Sequence, residues 1–173
     1  VTGVNDAPEI KNWSSQSYTE GEDPKTLAED LELSDADADA VDAGGKLSQA
    51  VVEVTGYVAE EDEFKIGADV DAASANDVAV GTGIRLAAAE SSGTLRLTLS
   101  AAAGATPEAF QDVLKTLTYE NNQGDAVTAG TRTLKLTVTD TLGIPNAGSA
   151  VMTLTVTGVN DAPEIKNWSS QSY

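Results

Sequence analysis

The run VTGVNDAPEIKNWSSQSY occupies residues 1–18 and returns unchanged as residues 156–173. Eighteen identical letters do not recur by accident, so the chain reads as a tandem array with a period of 155 residues. On this reading, residues 1–161 form one unit and residues 162–173 are the first strand of the next, without its domain. A unit that closes by restarting itself must carry its first and last strands to opposite ends. The junction GVNDAP then falls between units and brings side-chain oxygens with it, from Asn5 and Asp6 at one end and Asn160 and Asp161 at the other.

A 155-residue period suits one domain with its own core. The chain has no Cys and no His, which removes disulfides, thiolate nucleophiles, imidazole bases and the usual zinc ligands. An enzyme is not expected. The net charge of −18, from 10 Lys and Arg against 28 Asp and Glu, argues against nucleic acid and against anionic lipid, since phosphate binding needs a positive field. No apolar run approaches a membrane span, so membrane insertion is not expected, and any export signal is expected outside this sequence.

Short alternating runs dominate. Val52 and Val54, then Leu95, Leu97 and Leu99, then Leu134, Leu136 and Val138 follow the period of strands, and Ser149–Thr157 reads as the last strand, through Val151, Leu154 and Val156. Residues 59–83 are acidic and Gly- and Ala-rich and suggest a loop or irregular hairpin with a weak strand at Phe64–Ile66, and Glu60–Glu63 as a solvated charge run. Gly143–Gly148 reads as another loop. One stretch differs: Thr106 as N-cap, Pro107 at the first helical position, Glu108 beside it, and Phe110, Val113 and Leu114 at helical spacing predict a short helix. Many short strands separated by Gly, Asp and Asn turns indicate an all-β, antiparallel Greek-key β-sandwich with one short helix between strands.

The acidic residues are gathered in loops. SDADADAVDAGGK sets Asp35, Asp37, Asp39 and Asp42 close together, and in extended chain the first three fall on one side. Like charges that close repel unless a cation sits among them. An EF-hand is excluded, because counting from Asp35 its required Gly falls on Ala40 and its Glu on Lys46. The bland reading is a solvated acidic turn. For Asn160 and Asp161 it is an Asx turn ahead of Pro163.

The combination of LSDADADA, LTYENN, LTVTD and a final strand into GVNDAP resembles the cadherin-like repeats of giant bacterial surface adhesins of the VCBS and RTX type. That resemblance implies a cadherin- or immunoglobulin-like sandwich and Ca2+ between consecutive units. Asp35 and Asp37 resemble the family's Asp-x-Asp and Asp140 its single Asp at the end of the penultimate strand, both facing the junction that holds Asn5 and Asp6. At the other end, Glu20 or Glu22 resembles the family's early Glu, Glu120 the Glu of its Asp-Arg-Glu motif, and Asn160 and Asp161 its linker. Gly158 and Ala162 stand where that linker has Asp and Asn, so one or two ions per joint are expected rather than three.

The expected function is a calcium-stabilised extender, secreted to the cell surface, that stiffens a tandem array projecting a distal binding domain for adhesion or biofilm formation. Its partners are adjacent identical repeats, with strand exchange between molecules possible through residues 162–173. The alternative is a calcium-dependent glycan- or protein-binding module, which the 5% aromatic content disfavours.

Overall fold

The computed structural model describes residues 5–36, 46–142 and 147–172. Asp37, Asp39 and Asp42, named above as candidate ligands or near neighbours of them, lie outside the described residues. The described residues are mostly β, with one short α-helix. In chain order the strands are β1 (Glu9–Lys11), β2 (Gln16–Thr19), β3 (Lys25–Thr26), β4 (Glu32–Ser34), β5 (Leu47–Thr55), β6 (Asp62–Ile66) and β7 (Val70–Asp71). They continue as β8 (Val78–Gly81), β9 (Ile84–Ser91), β10 (Thr94–Ala105), β11 (Thr118–Asn121), β12 (Gly130–Asp140) and β13 (Ala147–Thr157), with helix α1 (Pro107–Leu114) between β10 and β11.

A seven-stranded sheet runs β2-β13-β12-β5-β10-β9-β8, a four-stranded sheet runs β3-β11-β6-β7, and β1 pairs with β4. Among the described residues every pair is antiparallel except β2 with β13, where Thr19 lies beside Thr157. The inward faces of both larger sheets feed one apolar cluster: Leu95, Leu97 and Leu99 of β10, Leu134, Leu136 and Val138 of β12, and Phe64, Ile66 and Tyr119 from the smaller sheet. Each buried side chain of this size contributes roughly 1.5–3 kcal/mol. The ring of Tyr18 meets that of Tyr119 edge-on at 5.0 Å between centroids, joining the first strands to the small sheet.

The helix forms where its caps predicted. Thr106 Oγ1 accepts from Ala109 N at 3.2 Å, and Phe110, Val113 and Leu114 are buried. Gln111 Oε1 accepts from Leu33 N at 2.9 Å, which holds the helix against β4. The acidic stretch 59–83 holds the strand expected at Phe64–Ile66 as β6, paired antiparallel with β7, and is more ordered than a loop or single irregular hairpin because β8 also forms within it. Its Asp62 shares the inward face of Phe64 and Ile66, so the strand reaches back into the run expected to be solvated. The last strand also starts earlier than expected, at Ala147, because β12 pairs with it as far as Thr139.

Candidate metal sites at the two poles

Pairing registers define two poles. Asp140 lies opposite Leu47, Thr139 opposite Ala147, and Glu9 opposite Ser34, so the end of β12, the starts of β5 and β13, and the β1/β4 pair meet at one pole. Pro8 lies against Gly148 there; a Cβ on that glycine would stand 1.9 Å from the Pro8 carbonyl oxygen. Asn5, Asp35 and Asp140 therefore share this leading pole, from segments far apart in sequence. Asn5 Nδ2 donates to Asp140 Oδ2 at 3.1 Å across 135 residues. Asp140 Oδ1 accepts from Leu142 N at 2.7 Å, which shapes the turn after β12.

Asp35 and Asp140 are both buried, and Asn5 Oδ1 and Asp35 Oδ2 are screened from solvent. Asp6 is exposed. The physical origin of this placement is strand parity. The inward face of β12 reads Arg132, Leu134, Leu136, Val138, Asp140, so a charge stands at each end of an apolar stripe. Leu33 and Asp35 follow the same alternation out of β4. Oxygen donors of this kind, carboxylates and an amide carbonyl held by a rigid sheet, are the chemistry Ca2+ takes.

At the other pole Glu20, just after β2, is joined to the end of β13. Its backbone N–H donates to Thr157 O at 2.9 Å, and its Oε2 accepts from Val159 N at 2.6 Å. Its Oε1 is shielded from solvent, with no hydrogen-bond donor among the described residues. Glu22 behaves differently: its Oε2 accepts from Thr19 N at 2.9 Å and closes its own turn. Glu120 points away from the core, opposite Glu63, while its neighbours Tyr119 and Asn121 point inward. Asn160 and Asp161 are exposed, and residues 158–172 carry no helix or strand. Among the described residues, no three acidic side chains gather into a metal-ligand group.

The sequence reading missed one buried polar centre. Asp62, part of the supposedly solvated run, accepts from Arg132 Nε at 2.8 Å and Nη2 at 2.9 Å, and from the Tyr119 hydroxyl at 2.6 Å. Burial alone would lower the Arg132 pKa, but the hydrogen bonds and charge of Asp62 outweigh it and hold the guanidinium protonated. Burial, reinforced by the bond to Asp62, pushes the Tyr119 phenol well above the ordinary 10.0. Next to it, the backbone N–H of Thr128, then its hydroxyl, lowers the pKa of Glu61. This fully paired centre ties β6 and β11 of the small sheet to β12 of the large one.

A surface groove of about 910 Å³ is polar, with Glu22, Asp23, Glu29, Asp30, Glu32 and Lys115 among its walls. No aromatic ring lines it, and Trp13 is core rather than a sugar platform, its Nε1 donating to Leu134 O at 3.0 Å. Among the described residues no helix is long and apolar enough to cross a membrane. Comparison with family models and with curated proteins found no match.

Proposed function

We propose that this chain is a calcium-stabilised extender unit of a tandem-repeat bacterial surface adhesin, secreted and displayed at the cell surface, built as a cadherin-like Greek-key sandwich. Calcium at the joints neutralises carboxylates that face one another and turns a jointed string into a stiff rod. The observation that carries this reading is the leading pole, where the junction residue Asn5 bonds to Asp140 and Asp35 is buried at the same end. Burying two carboxylates costs free energy that a divalent ion offsets. The shielded Glu20 Oε1 beside the outgoing linker supports a second ion position at the trailing pole. The parallel β2/β13 pair further supports the arrangement, since it runs the first and last strands in the same direction and leaves entry and exit at opposite ends.

Thermal unfolding in calcium and in chelator tests it. An ion that binds only the folded state at 100 times its Kd adds about 2.7 kcal/mol, a rise of roughly 5–10 °C in Tm for a domain of this size. A Tm that is equal in calcium and in chelator overturns the calcium reading.

A further inference from the structure

The chain holds two copies of one strand-forming segment and one place that fits it. Residues 8–17 lie along β13 and β4, with Trp13 7% exposed, whereas in the identical residues 163–172 Trp168 is 88% and Ile165 77% exposed. Both copies nonetheless share two local features. Asn12 has φ 60° and Asn167 φ 59°, and the Glu9–Lys11 and Glu164–Lys166 ion pairs both measure 3.2 Å. The exposed copy thus already holds the left-handed asparagine of the packed copy, which lowers the ordering cost of docking at that residue.

It cannot dock on its own molecule in the native direction. Pro163 would have to take the place of Pro8 beside Gly148, nine residues of strand back from Thr157, or about 30 Å. Pro163 is six residue steps beyond Thr157, which span at most about 22 Å. We propose that residues 163–172 of one molecule dock between β4 and β13 of a second copy of this chain, displacing that copy's residues 8–17. Trp168 then occupies the Trp13 pocket. The contact is head-to-tail, from the trailing end of the donor to the slot of the acceptor, so it reproduces between chains the connection that the array makes within one. The proposal rests on the duplicated segment and not on calcium.

The slot's own strand is tethered, so in the wild-type chain exchange is a minor state that needs trapping. Ser15 Oγ lies 3.1 Å from both the backbone nitrogen and Oγ1 of Thr153, and Ser170 is its counterpart. Because the chain has no cysteine, a Thr153→Cys chain mixed with a Ser170→Cys chain in chelator under mild oxidation reports docking directly. The expected result is a disulfide-linked heterodimer in several-fold higher yield than Ser170→Cys gives with Ala89→Cys. A Trp13→Ala substitution in the Thr153→Cys chain should raise the yield further, and Trp168→Ala in the Ser170→Cys chain should remove it. Equal yields at Thr153→Cys and Ala89→Cys, or no loss with Trp168→Ala, would overturn the proposal. A failed calcium melt with successful cross-linking would sink the calcium reading alone.

Discussion

Arg132 and Asp62 form a two-pronged ion pair between the two larger sheets, with neither side chain more than 2% exposed. The guanidinium fork matches the carboxylate, and Tyr119 supplies a further donor to Asp62 Oδ1. The arrangement fixes how β6 sits over β12, because a buried charge without its partner is far more costly than the pair.

Replacing one partner is therefore expected to be severe. Arg132→Met strands the Asp62 carboxylate and should lower the unfolding free energy by about 3–5 kcal/mol. The double variant Asp62→Leu/Arg132→Met, with no buried charge left, should recover part of that loss. Urea unfolding of the three chains measures both, and a double variant less stable than Arg132→Met would show that the pair does not act as a unit.

Alkali should weaken the fold through Tyr119. The unfolded chain loses this proton near 10.0, while the folded one keeps it to higher pH. The folded state then binds more protons, so stability present below pH 10 falls as pH rises past it. Tyr119→Phe should flatten this alkaline limb in urea titrations. Part of the slope should remain, because burial also raises the Tyr57 phenol.

Asp35→Asn separates a ligand from a structural residue. With calcium present it should abolish at least half of the calcium-dependent rise in Tm, since it removes one of the negative oxygens assigned to the leading pole. In chelator it should leave Tm unchanged or slightly raised, because one buried charge is gone. Glu20→Gln should show the same pattern for the trailing pole. A variant equally destabilised with and without calcium points to packing instead.

Gly148 should tolerate no side chain. A Cβ there would lie 1.9 Å from the carbonyl oxygen of Pro8, a backbone atom that moves only if the first segment lifts off β13. Gly148→Ala is expected to cost about 1–3 kcal/mol, as overpacked sites do. In a Trp168→Phe background, where Trp13 is the sole tryptophan, its fluorescence should shift toward that of an exposed indole.

Much of the β architecture was legible in the letters because period two is a local property. Leu95, Leu97 and Leu99 declare an inward face without any knowledge of their partners, and Thr106-Pro107-Glu108 declares a helix start from capping alone. The duplicated segment likewise determined the left-handed backbone at its asparagine, since Asn12 and Asn167 reach the same φ in wholly different surroundings. Burial was not determined that way. Trp13 and Trp168 have identical neighbours in sequence, yet only one has β13 and Leu134 beside it, and exposure depends on what the rest of the chain brings near. The same holds for charge: Asp62 became a core residue because Arg132, 70 positions later, arrived on the facing sheet, and Asn5 found Asp140 only when β12 and the first segment ended at one pole. Hydrogen bonds and ion pairs act over a few ångströms, so distant residues join only after the sheets have closed, and sequence spacing carries no trace of that distance.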